Sequence, residues 1–368
     1  MILKSMASMA LTISLAIASA AAAAAELPLD KLKLPPGFRI AVWAHVDGAR
    51  SMAVGDGFVV VGTRDDSLYA VPFDRKTFTA GKVVSVAGKL NVPNGVALVD
   101  GVLYVAEQDR VVRWGNGRFD PGKPAQKPVK VGPDLPDKAH HGWRYMDAGP
   151  DGALYVTIGS PCNVCMPEGI EGSILRLDPK TGAAETVAKG IRNSVGLAFH
   201  PGTRELYFTD NGADMMGDDT PPEELNRVTV RGQSFGYPWF GGGAARTREF
   251  MDRKPPAGAQ LPVAQFDAHS APLGFTFYTG AMFPASYRNH AILAHHGSWN
   301  RTFPIGYRLM DIATDDTGKV TGVTQFVTGW LDRGRAWGRP VDVKPLPDGS
   351  LLVSDDQASV LYRITYGK

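Results

Sequence analysis

The sequence predicts an all-β fold, a six-bladed β-propeller. Three observations carry this. A unit of turn, strand, polar break and second strand recurs six times, and each copy is preceded by a further strand-like run. No segment has a helical period. The 42 Gly and 27 Pro in 368 residues are scattered rather than periodic, as many turns between short strands require. Two stacked sandwiches would not explain six like units.

The elements follow in chain order. "MILKSMASMALTISLAIASAAAAAAELP" has one Lys, an apolar stretch from Met9 to Ala18 and a run of alanines, the layout of a secretory signal cleaved after Ala25. The stretch is short for a membrane span of about 20 residues, and no basic stop follows. The expected mature chain is a single propeller domain over 26–368, periplasmic or secreted, with no membrane span after cleavage. "GFRIAVWAHV" (Gly37 to Val46) is expected to pair with the last blade and close the ring. The strand before each turn is read in "SMAVG", "NGVALV", "WRYMDAG", "VGLAFHP", "FTFYTGAMFP" and "PVDVKPL". The strands after it begin in "DGFVVVG", "DGVLYVAE", "DGALYVTIG", "TRELYFTDNG", "RNHAILAHHG" and "DGSLLVSDD". One longer gap holds an insertion between about 231 and 270, rich in Gly, Pro and aromatics.

Charge is balanced, 39 basic against 37 acidic residues, which gives no footprint for nucleic acid and no acidic tail. Hydrophobic content of 44% suffices for a sizeable core. The two cysteines, Cys162 and Cys165, are expected to form a local disulfide in an exported chain. Met166 stands where a c-type haem site needs His. No further zinc ligands follow. The pair comes after a strand and not at a helix start.

In a propeller, the starts of the innermost strands and the ends of the next strands share one face. Starts give Asn94, His140-His141, Arg192-Asn193, His269-Ser270 and Arg339. Ends give Arg64, Ser160, the acidic loop from Asp210, His295-His296 and Asp355-Asp356. Imidazoles, guanidiniums and carboxylates thus gather at one mouth of one channel. The stretch "DNGADMMGDDTPPEELN" holds six acids and no base, so arginines, a cation or solvent must offset it.

The chain resembles the soluble quinoprotein sugar dehydrogenases, most closely their sorbosone dehydrogenase-like branch. The matching pieces are "LPPGFRIAVWA", "VPNGVALVDGVLYVAE", "HHGWRYMDAGPDGALYVTIGSPCNVC", "GIRNSVGLAFHPGTRELYFTDNGADMMGDDTPPEELN", "SFGYPW", "APLGFTFYTGAMFP", "HHGSWNR" and "GRPVDV" with "PDGSLLVSDD". The resemblance implies pyrroloquinoline quinone (PQQ) held over the channel with Ca²⁺, and oxidation of a sugar hydroxyl or aldehyde. It places His141 at the catalytic histidine, with His140 as the competing assignment. Arg192 and Asn193 fall at the cofactor, as do Asn94 and Arg339. Gly212 and Ala213 match carbonyls that bind the cofactor's calcium, and Glu224 matches a ligand of a second calcium.

There are departures. Glucose-oxidising members set a lysine against the quinone; "AHHGSWNR" has none, so His296 or Arg301 is the expected substitute. A second arginine is replaced by Val341, for which Arg64 compensates from the first blade. The chemistry suits these groups. Arginine's planar fork matches carboxylates, calcium takes oxygen ligands, and imidazole accepts a proton near neutral pH. The expected partners are a small-molecule sugar and a separate electron acceptor, since no haem motif is present. Two other readings stay open: a calcium-dependent propeller lactonase, and a non-catalytic sugar-binding propeller.

Overall fold

The computed structural model describes residues 26–123 and 127–367; the secretion signal read in residues 1–25 lies outside them. Among the described residues six sheets form the blades, each built on four antiparallel strands, and the third carries a fifth. Their innermost strands are Met52–Gly55, Gly95–Val99, Met146–Ala148, Leu197–Phe199, Pro272–Phe277 and Pro340–Pro345. Each touches the next, and the sixth touches the first, so the ring closes. The fold is a six-bladed β-propeller. Phe38–His45 pairs antiparallel with Val360–Tyr366 and is the outer strand of blade 6, as the sequence predicts.

Burial explains why the second strands read as continuous apolar runs and not as alternating ones. A strand covered on both faces has no solvent side. In Phe58–Val61, Val59 and Val61 pack toward blade 6, whereas Phe58 and Val60 pack toward blade 2. In Leu206–Asp210, Leu206 and Phe208 meet blade 3 and Tyr207 meets blade 5. The core is therefore six apolar wedges between consecutive blades, with Val195, Leu273 and Val341 packed together among the innermost strands.

Close approach at the axis needs glycine. A Cβ on Gly274 would stand 2.1 Å from Asp342 Oδ1, and one on Gly196 would stand 2.0 Å from Leu273 O. Asp342 is fully buried and accepts from Met52 N at 2.9 Å and Tyr145 OH at 3.0 Å, tying blades 1, 3 and 6 together.

The stretch between Glu223–Val228 and Ala264–Phe266 carries a short hairpin, Phe240–Gly242 with Ala245–Arg246, and one 3-10 turn, Arg248–Phe250. Gln233–Ser234 adds a parallel strand to the edge of blade 3, and Ala264–Phe266 is the outer strand of blade 4. Among the described residues no helix is long and apolar enough to cross a membrane.

Candidate active site

A cavity of about 400 Å³ opens at one end of the ring. His141, Arg64, Arg192, Asn193, Gly212, His296 and Arg339 line it, and His140, Arg50, Trp143, Glu223, His269 and Trp299 join them. Seven of the eleven residues singled out from sequence thus share one cavity. Asn94, Ala213, Glu224 and Arg301 do not line it.

His141 sits in the loop before the innermost strand of blade 3. Its backbone is left-handed, φ 52°, a conformation costly for a residue with a Cβ. Gly159 makes room for it: a Cβ there would stand 2.5 Å from His141 Cβ. Nδ1 lies 3.0 Å from Ser160 O. A carbonyl only accepts, so Nδ1 carries the proton and Nε2 keeps its lone pair. Burial, then the charge of Arg192 and the His140 ring, pushes the imidazole down to about 2, which favours the neutral ring. The His140 ring lies tilted beside it, 4.0 Å between ring centroids, but is exposed at the mouth.

Across the cavity three guanidiniums converge. Arg50 donates from Nε to Asn94 Oδ1 at 2.8 Å and from Nη1 to Asp356. Arg339 donates to the carbonyls of His296 and Gly297, at 3.0 and 2.6 Å. Arg64 lies over the Trp143 ring, 3.3 Å from its centroid, and burial and Arg50 push it down to about 10. Among the described residues only Asp356 is ion-paired within this group, so the cluster carries a surplus of positive charge. Asn94 is fully buried beneath Arg50; it orients that guanidinium and also donates to Arg144 O at 2.9 Å.

Arg192 has a different job. Its guanidinium donates to Asn163 O, Asn163 Oδ1, Asn211 O and Asp214 Oδ2, at 3.0, 2.8, 3.1 and 2.7 Å. Four of its five N–H groups are committed to the protein. It clamps the disulfide loop Cys162–Cys165 to the acidic loop. Arg301 clamps the same acidic loop from blade 5, donating to Asp218 O and pairing with Asp219 at 2.9 Å. Asn300 donates to Asp214 at 2.8 Å, and His269 Nε2 lies 2.7 Å from Gly217 O. The acidic loop is therefore offset in large part by arginines and backbone donors.

The acids closest to the axis are buried. Asp210 accepts from the backbone of Arg192 and Asn193, and Glu223 accepts from Gly212 N and Ala271 N. Glu224 accepts from Gly243 N and Asn226. Burial pushes Glu223 and Glu224 each up to about 8. Neither has a basic side chain in salt-bridge range among the described residues. Glu224, Asp210 and Gly212 line a second void with room for about one water. Ala213 is fully buried, its N–H donating to Gly241 O at 2.6 Å. Among the described residues no three His, Cys, Asp or Glu side chains are set to hold a metal.

Sequence reasoning missed Arg50, Glu223 and Trp299. Arg50 had a signal: it stands just before the innermost strand of blade 1, where the rule that found Arg339 in blade 6 also applies. Glu223 and Glu224 alternate along one strand, and only the structure shows which one faces the cavity. The same alternation separates His295, buried edge-on against Phe266, from His296 in the cavity.

A family model described as Glucose / Sorbosone dehydrogenase matches residues 126–363. An uncharacterized protein of Borreliella burgdorferi is 34% identical over 352 residues, covering 92% of this chain and 91% of that one. Among solved structures, a family AA12 carbohydrate-active enzyme of Trichoderma reesei superposes with TM-score 0.79 at 18% identity, covering 91% of this chain and 98% of the other. The holo PQQ domain of pyranose dehydrogenase from Coprinopsis cinerea gives 0.74 at 18% identity, over 91% and 97%. PQQ-bound aldose sugar dehydrogenase from Streptomyces coelicolor gives 0.64 at 19% identity, over 90% and 99%. These structures share the propeller; the family match, over more than half of the sequence, makes this chain a member of the glucose/sorbosone dehydrogenase family, a family of sugar oxidoreductases.

Proposed function

We propose that this protein is a PQQ- and calcium-dependent dehydrogenase that oxidises a sugar hydroxyl or aldehyde, with His141 as general base. One observation carries the reading: Arg50, Arg64 and Arg339 line one cavity with, among the described residues, a single paired carboxylate, and the His141 imidazole lines the same cavity. A surplus of positive charge gathered at one cavity calls for an anionic ligand. The fit to a tricarboxylate is good in donor type, since guanidinium forks match carboxylates. The fit to calcium rests on Glu223, Glu224 and Asp210, buried carboxylates whose own partners are chiefly amide N–H groups, and on Gly212 at the cavity wall. Hard cations suit such oxygens.

When bound, the quinone supplies a two-electron acceptor and calcium polarises it. The chain's residues do the rest. Arg50, Arg64 and Arg339 hold carboxylates, with Arg50 oriented by Asn94. Asn193 and the remaining N–H of Arg192 border the same space. His141 Nε2 takes the substrate's hydroxyl proton, its ring fixed by Ser160 O. Arg301 acts at one remove, holding the acidic loop in place. Ala213 and Glu224 serve calcium from beneath the cavity wall. The expected site of action is the periplasm or outside the cell, with electrons passed to a separate acceptor.

The test is reconstitution. PQQ and Ca²⁺ added to apoprotein should give sugar-dependent dye reduction and bleaching of the oxidised quinone bands. Lactone hydrolysis without quinone would instead identify a propeller lactonase. Sugar binding with neither activity would identify a binding propeller.

A further inference from the structure

His296 enters the cavity one residue after the second strand of blade 5. Its Nε2 lies 2.8 Å from Asp356 Oδ1. A carboxylate only accepts, so Nε2 carries a proton and the neutral ring has its lone pair on Nδ1. Nδ1 has no hydrogen-bond partner among the described residues, yet it is not among the buried unpaired atoms, so it opens to the cavity. Asp356 gives its other oxygen to Arg50.

The charged groups facing this ring come from every side. Asp356 lies at the end of the second strand of blade 6, Arg50 before blade 1, and Arg339 before blade 6. Arg64 stands behind Arg50 on Trp143. Burial, with Arg339 and Arg50, pushes the imidazole down to about 4, against the opposing pull of Asp356. Burial is the largest of these influences, and the arginines, which no ligand neutralises, add to it against Asp356.

We propose that His296 is a ligand-coupled proton acceptor: when a polycarboxylate fills the arginine cluster, the ring takes one proton from solvent and its Nδ1 becomes a donor toward the bound group. This inference rests on the cofactor reading above. The ligand's carboxylates cancel the field of Arg339 and Arg50 and add negative charge beside the ring, while Asp356 stays in contact on its other side. The balance is simple: neutral protein plus ligand anion plus one proton gives the imidazolium complex, with no bond broken except in the proton's donor. The result is a cationic N–H donor in the neighbourhood where the glucose-oxidising relatives carry a lysine. Asp356 is a positioning residue for it.

Calorimetric titration of apoprotein with PQQ at pH 6, at fixed calcium, in two buffers of different ionisation enthalpy, counts the protons taken up. His296→Gln removes the titrating ring and keeps a polar side chain. The unmutated protein is expected to take up more protons than the variant, by a difference approaching one per PQQ. Its affinity is expected to rise as pH falls from 7 to 5, by up to about tenfold per pH unit relative to His296→Gln. Asp356→Asn should also shrink the difference. Equal proton counts with both proteins binding would overturn the inference and leave the cofactor reading standing. Failure of PQQ to bind the unmutated protein would overturn both. Ring-¹⁵N spectra of the unmutated protein give a readout independent of the variants: PQQ should convert one neutral imidazole to imidazolium, and no conversion would overturn the inference.

Discussion

A histidine whose Nδ1 is committed to a backbone carbonyl has one lone pair left to offer, and in His141 that lone pair lies at a neutral ring. Removing it should abolish proton abstraction without disturbing the arginines. His141→Ala is expected to cut turnover by about 10²–10⁴-fold while PQQ still binds, checked by dye reduction alongside quinone absorbance. Retained full turnover would move the base to His140. The arginines divide by what they already hold. Among the described residues Arg64 has no hydrogen-bond partner, and it rests on Trp143, so Arg64→Ala should weaken PQQ binding by about 10–100-fold, the worth of one charge-assisted hydrogen bond, and leave Tm nearly unchanged. Arg192→Ala should do the reverse in part, lowering Tm by several degrees, because it strips Asp214, Asn163 and Asn211 of their shared donor. Thermal melts beside binding isotherms separate the two cases. Residue type and rim position were legible in the sequence for both arginines. Their different duties were not, since those depend on which acceptors the loops bring within 3 Å.

Loops, more than strands, decide the shape of this site. The acidic loop is held from both flanks, by Arg192 through the disulfide loop and by Arg301, Asn300 and Thr302 from blade 5. Arg301→Ala removes one flank only. It should raise the rate of proteolytic cleavage in Met215–Gly217 several-fold and change Tm by no more than a degree or two, as followed by limited proteolysis against a thermal melt. Unchanged cleavage would mean that Asn300 and Thr302 suffice. The strands were readable from sequence because two covered faces impose apolar runs bounded by turns. The loop clamps were not readable, because a pair such as Arg301 and Asp219 is 82 residues apart and no local pattern connects them. The six acids were visible as an excess needing compensation, and only the folded blades show that Arg192 meets Asp214 and Arg301 meets Asp219.

The propeller itself is held by wedges between blades and by tight contacts at the axis. Gly274→Ala puts a methyl carbon into Asp342, whose carboxylate ties Met52 N and Tyr145 OH. Overpacking there should cost about 1–3 kcal/mol and lower Tm by several degrees, with the loss shared by all spectroscopic probes because the ring melts as one unit. Blade number and ring closure were legible from the repeat, which is a property of the whole chain and survives errors in any one strand. The axis contacts were not, since glycine in a strand reads the same whether it faces solvent or a neighbouring carboxylate.

The pairing of Phe38–His45 with Val360–Tyr366 joins the first blade-forming segment to the last. Arg50 and Asp356, 306 residues apart, meet only when that seam has zipped. A nascent chain still on the ribosome, lacking its final strand, has neither a complete barrier between blades 6 and 1 nor the ion pair that steadies the guanidinium cluster. Any acidic ligand that needs the whole guanidinium cluster is therefore expected to load only after Val360–Tyr366 has folded back onto Phe38–His45.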